Sequence, residues 1–223
     1  MGAFLLGTAL VAYNYLRPEL GGGMYVVVNF AVGVVLVVVG FGPLGSNARE
    51  LGISGNSSRV MAVSGLAAVA LVAPLYALAA FEPTAHLIAD ERVAELSASQ
   101  VAFQALVRIP LGTALFEEFA FRGVLFGVLS RRGDLFGAVA SSVSFGLWHI
   151  RPTLEVVDAN APDAQASLVG FLVLSAVVVT GVVGLGLCWL RTKGGGILAP
   201  TVLHAGVNSL SLVASAIAHT RLA

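Results

Sequence analysis

The sequence predicts an all-α, polytopic membrane bundle of about seven helices, with six to eight compatible, and two observations carry that prediction. Of the 223 residues, 57% are hydrophobic and only 11% charged, with a mean hydropathy of +0.92; a soluble domain carries about 25% charged residues. The apolar residues also gather into runs near the roughly 20 residues that a helix needs to cross a bilayer, and turn-forming glycines and prolines separate the runs.

Taken in order, the first helix is expected over 3–16. It has no basic stretch before it and no small-residue cleavage site after it, so it reads as a retained helix and not a signal peptide, although it is short for a span. Gly21, Gly22 and Gly23 precede a second helix over 24–43, which closes on Gly42 and Pro43; the third covers 60–81. The fourth, over 99–130, is too long for one straight crossing, and Pro110 is expected to kink it or to leave the part before it outside the hydrocarbon. Arg131, Arg132 and Gly133 end it, the fifth runs over 135–150 up to Arg151 and Pro152, and the sixth covers 167–190. After Gly194, Gly195 and Gly196 the seventh covers 197–217, with Pro200 in its first turn, where a missing N–H costs nothing.

Charge in the connections alternates. The second, fourth and sixth carry Arg49, Arg59, Arg131, Arg132, Arg191 and Lys193 against Glu50 and Asp134. The first, third and fifth carry Arg17, Arg92 and Arg151 against Glu19, Glu82, Asp90, Glu91, Glu95, Glu155, Asp158 and Asp163. The positive-inside rule then puts the N-terminus in the cytoplasm and the C-terminus outside the cell membrane. Twelve basic residues cancel twelve acidic ones, so no basic patch argues for a nucleic-acid partner. The single cysteine, Cys188, excludes an intrachain disulfide and reads as a small buried hydrophobe.

Inside the fourth run stand Glu117, Glu118 and Arg122. A charged side chain at the bilayer centre costs at least about 2.5–3.5 kcal/mol, so such groups face a bundle interior or a wet cavity and mark a functional site. Adjacent helical residues point about 100° apart, which divides the two glutamates. Glu118 lies four residues before Arg122 and is placed to form an ion pair with it; Glu117 is left free for proton transfer. His149 ends the fifth helix, and His204 and Asn208 lie one turn apart on the seventh. At 1.5 Å per residue, Glu117 and His149 lie about 20 Å, and His204 about 10–12 Å, from the expected cytoplasmic helix ends, within one layer. His204 and Asn208 could donate to a developing oxyanion. Equally, His149, His204 and a glutamate could form an open zinc site, although the His-Glu-x-x-His spacing is absent.

Glu117-Glu118-x-x-x-Arg122, Phe145-x-x-x-His149 and His204-x-x-x-Asn208, in that order on three helices, resemble the CAAX-protease and bacteriocin-processing (Abi) family of intramembrane proteases. The resemblance covers about 111–215. It implies an endopeptidase in which Glu117 activates water shared with His149, Glu118 is a supporting carboxylate held to Arg122, and His204 and Asn208 stabilise the oxyanion, with Phe145 in structural support. It is compatible with a glutamate-dependent reaction needing no cofactor, the reading preferred here, or with a divalent metal such as zinc at Glu117, His149 and His204. It implies membrane lipid and a peptide or lipidated-protein substrate as partners. The chain is then one membrane domain, with peripheral helices over 1–98 and a catalytic core over 99–217. The rival readings are a proton- or cation-coupled transporter and a non-catalytic scaffold or bacteriocin-immunity protein; no internal repeat favours transport.

Among the remaining polar and aromatic residues, His86 and His219 are expected in solvent, Trp148 and Trp189 at the membrane interface, and Arg108 snorkelling or paired to a loop. Gly123 and Gly127 form a small-xxx-small face that lets a second helix approach.

Overall fold

In the computed structural model, which describes residues 2–16 and 21–222, most of the backbone is helical, and no strand occurs among those residues. The helices are α1 (Gly2–Leu16), α2 (Gly22–Phe41), α3 (Ser58–Ala80), a continuous helical stretch over 98–132 that we call α4, α5 (Asp134–Trp148), α6 (Ile150–Asn160), α7 (Ala166–Gly194) and α8 (Leu198–Leu222). One-turn helices, Glu82–Ala85 and Glu91–Ala94, bridge α3 and α4. The protein is a multi-pass helical membrane bundle whose outer faces are apolar: Val27, Phe30 and Val38 of α2 and Phe171, Leu174 and Val182 of α7 are all exposed.

All seven expected segments are helical, but the count of about seven spans is not reached on length and apolarity. Among the described residues, four helices are long and apolar enough to cross: Gly23–Phe41, Ser58–Ala80, Ala166–Gly194 and Leu198–Leu222. Helices α1 and α5 have 15 residues each, about 22 Å against a hydrocarbon core of about 30 Å.

Helix α4 is not uniformly α-helical. Gln104–Ala114 and Phe119–Leu125 are π-helical and flank the α-turn Leu115–Glu118. Pro110 falls in the first π stretch, where the wider winding carries the chain past the missing N–H. The middle of α4 is buried on every side, from Phe116 to Gly127. Around it a core forms from Leu10 of α1, Leu36 of α2, Leu51 of the α2–α3 connection, Phe145 and Trp148 of α5, and Leu187 of α7.

A further helix, α6, stands where a loop was expected. Its 11 residues are amphipathic, and Pro152 sits in its first turn, where a helix has no N–H partner to lose. Arg151 and Pro152 therefore start a helix instead of marking a turn.

The connections sort to two ends. At one, Arg131 donates to Leu44 O, Gly45 O, Ser46 Oγ and Glu50 Oε2, Arg191 donates to Arg49 O and Glu50 O, and Ser57 N donates to Gly194 O. At the other, Asp90 accepts from Arg92 and Asn160, its N–H donates to Ser215 of α8, and Arg151 donates to Asn14 O and Tyr15 O at the end of α1. Arg17 and Glu19, counted above in the first connection, lie outside the described residues.

Gly123 and Gly127 do admit a close neighbour, but it is not a helix. A Cβ at Gly127 would overlap Glu50 O, and one at Gly123 would come 2.9 Å from Leu51 O. The backbone of the α2–α3 connection is wedged there, and Leu51 is fully buried.

Candidate active site

The α-turn at Leu115–Glu118 aims its two carboxylates at different partners. Glu118 and Arg122 are completely buried, and Arg122 Nη1 donates to Glu118 Oε1 at 3.1 Å. The guanidinium carbon lies 3.9 Å from the centre of the Phe145 ring, a cation–π contact from below. Two charges out of water require such compensation, since losing either partner strands the other. Arg122 Nε and Nη2 and Glu118 Oε2 nonetheless have no hydrogen-bond partner among the described residues.

Glu118 has a second neighbour. His204 Nδ1, from α8, lies 2.9 Å from the same Oε1. A carboxylate only accepts, so Nδ1 carries the proton in this contact. His204 Nε2 is thereby turned towards Glu117, 3.9 Å from Oε2.

Glu117 is 5% exposed. Its Oε1 accepts a 3.0 Å hydrogen bond from Trp148 Nε1, while its Oε2 is buried without a hydrogen-bond partner among the described residues. This is a carboxylate with one oxygen held and the other idle.

Phe145 and His149 complete the wall. His149 sits at the junction of α5 and α6, with φ −81° and ψ −3°. Its Nδ1 lies 2.7 Å from Phe145 O; a carbonyl cannot donate, so Nδ1 bears the hydrogen, which in the neutral ring leaves the lone pair on Nε2. The Phe145 ring is edge-on to both histidines, with centroids 4.5 Å from His149 and 6.0 Å from His204. Asn208 lies one turn beyond His204 on α8 and is half-buried. Its amide has no hydrogen bond among the described residues.

A divalent metal would need its ligands grouped. Among the described residues, no three of His, Cys, Asp and Glu stand together in such a group. Of the candidate set, Glu117 and His204 approach each other, and the other nitrogen of His204 is taken by Glu118. As placed, these side chains do not fit a metal, and no step below is routed through one.

Several residues at the site were given other places by the sequence. Trp148 was expected at the membrane interface; it is 1% exposed and bonded to Glu117. Trp189 is exposed on α7. Asn14 of α1 is fully buried and donates to Trp148 O at 2.7 Å; as an amide in an apolar run it was the available signal. Tyr13 stacks on the Trp148 ring, with centroids 6.4 Å apart, and donates to Asn29 Oδ1 of α2. His219 is not simply solvated, since its Nε2 lies 2.9 Å from Asp90 O, whereas His86 is exposed. Arg108 is part-buried, donates to Gln104 Oε1 and lies 4.5 Å above the Tyr25 ring. Cys188 is buried beside Ser142, with Sγ and Oγ 3.9 Å apart.

The family pattern of the type II CAAX prenyl endopeptidase Rce1-like proteins matches residues 99–210, half of the 223-residue chain. The match takes in α4 to the first half of α8, and with them Glu117, Glu118, Arg122, Phe145, Trp148, His149, His204 and Asn208; α1 to α3 lie outside it. No curated protein and no solved structure matches the chain. With that pattern laid over the buried carboxylates and histidines just described, the chain belongs to the Rce1-like family, a family of membrane proteases.

Proposed function

We propose that the protein is an intramembrane endopeptidase in which Glu117 is the general base. The observation that carries this is Glu117 Oε2, a buried carboxylate oxygen with no hydrogen-bond partner, beside His204 Nε2 and backed by an Oε1 that is already held. A buried acceptor left without a partner costs about 1–3 kcal/mol, more for a charged group, and a water bound at Oε2 would relieve that cost.

In this reading Glu117 Oε2 takes a proton from water, whose other hydrogen is accepted by His149 Nε2. The hydroxide attacks the scissile carbonyl. The oxyanion is steadied by the Asn208 amide and by His204, which carries a hydrogen on both nitrogens before and after the step and donates at Nε2. Glu117 returns its proton to the amine as the C–N bond breaks. Glu118, tied to Arg122 and His204, holds the imidazole in place.

The name of the family points to prenylated CAAX proteins, and for this chain we infer a peptide or lipidated-protein substrate that meets the site from the membrane. We further propose that seven of the helices alternate across the bilayer around a catalytic core over 99–217, with the N-terminus cytoplasmic and the C-terminus outside. The sorting of connections to two ends supports this, with the basic group of Arg49, Arg131 and Arg191 at one end and the acidic group around Asp90 at the other.

The test is cleavage of a panel of lipidated and unmodified C-terminal peptides by the purified protein, with and without a chelator. Glu117→Gln is expected to abolish cleavage in a protein that still melts like wild type, and the chelator to leave wild-type turnover unchanged. Full activity of the variant refutes the assignment of the base; loss of activity with the chelator, restored by metal, refutes the metal-free step.

A further inference from the structure

The half of the chain outside the family match reaches into the site. We propose that Trp148 is the positioning residue for Glu117, and that α1 sets Trp148 through Tyr13 and Asn14, so that the first helix is a working part of the catalytic unit. The proposal rests on the reading of Glu117 as the base.

Three hydrogen bonds and three ring contacts build this chain of positions. Trp148 Nε1 donates to Glu117 Oε1 at 3.0 Å. That bond leaves Oε2 as the unpartnered oxygen facing His204. Asn14 Nδ2 donates to Trp148 O at 2.7 Å, fixing the last residue of α5 one position before His149. Arg151 Nη1 donates back to Asn14 O at 2.6 Å, so the end of α1 and the α5–α6 junction hold each other. The indole is also boxed in by rings: Tyr13 stacks on it with an interplanar angle of 26°, and Phe116 and Phe121 lie with centroids 6.1 and 5.6 Å away.

The chemistry explains why an indole suits this place. It donates one hydrogen bond and accepts none, so it can hold a carboxylate oxygen but cannot take the proton that Glu117 must carry. A histidine or tyrosine there would compete for that proton. A hydrogen bond to one oxygen also stops the carboxylate from turning, which preserves the geometry that proton transfer requires. In the absence of α1 the indole loses both its stacked face and its backbone anchor.

Two measurements test this. The chain has two tryptophans, so a Trp189→Phe protein reports on Trp148 alone by fluorescence. In that background Glu117→Gln is expected to blue-shift the emission, since a negative charge at the pyrrole edge stabilises the excited indole; Asp90→Asn, remote from the site, should leave it unmoved. No shift with Glu117→Gln overturns the contact, whatever the protein cleaves. The second is kinetic. Trp148→Phe keeps a ring and removes the donor; it is expected to lower kcat by about 10- to 100-fold, the rate equivalent of one charge-assisted hydrogen bond, with KM changed less than about threefold. Asn14→Leu should lower kcat in the same sense, without touching KM. A wild-type kcat for both folded variants overturns the positioning role. If Trp148→Phe fails to fold, Asn14→Leu and the emission shift decide the matter. If no peptide is cleaved by the wild type, the protease reading fails while the emission shift still tests the contact.

Discussion

His204 Nδ1 lies 2.9 Å from Glu118 Oε1, the same oxygen that accepts from Arg122. One carboxylate oxygen thus joins a cation on its own helix to an imidazole on α8, and the second nitrogen of that imidazole is left to face Glu117. The two adjacent glutamates are thus both neighbours of His204.

This sharing makes the ion pair costly to break. Glu118→Ala or Arg122→Ala each leaves a fully buried charge behind, and a loss of about 3–5 kcal/mol is expected. Thermal unfolding in detergent and folded yield check it; variants that melt like wild type would show that the pair is hydrated or neutral in the membrane.

The two nitrogens of His204 can be separated by substitution. In His204→Asn the amide can replace Nδ1 towards Glu118 but cannot reach as far as Nε2. Wild-type folded yield is expected together with a loss of turnover of about 100-fold or more, the scale of one oxyanion donor. His204→Ala should lower both. Equal stability of the two variants would show that the bond to Glu118 contributes nothing.

Gly127→Ala drives a methyl group into Glu50 O. The backbone it meets is pinned by Arg131 and Arg191, so it cannot withdraw cheaply, and a loss of about 1–3 kcal/mol is expected. Gly33→Ala on α2, with open space around it, serves as the control and should be neutral or slightly stabilising. Matching melting temperatures for the two would refute the wedge.

Asp90 gives a pH signature away from the membrane-spanning helices. Burial alone pushes its carboxyl up, but Arg92 and Asn160 together hold it down at about 2. A folded-state value below the ordinary 3.8 means that its contribution is complete above that ordinary value and fades as pH falls through it towards about 2. Asp90→Asn should therefore lower the melting temperature near neutral pH and converge with wild type in strong acid. A constant difference across that range would show that the ionisation of Asp90 contributes nothing to stability.

By itself the sequence determined the helical membrane class, the helical segments and the residue types of the site. Those follow from local rules: apolar run length, turn residues, and the i,i+4 spacing that joins Glu118 to Arg122. It did not determine that α4 winds as π-helix at Pro110 and again just after Glu118, or that 150–160 forms a helix, because both depend on what packs alongside. Only the tertiary structure decided the partners. His204 on Glu118, Trp148 on Glu117 and Asn14 on Trp148 are separated by 86, 31 and 134 residues. No pattern of neighbouring residues encodes which buried donor meets which buried acceptor; that is settled when the polar groups sealed in an apolar bundle compete for the partners that packing brings within reach.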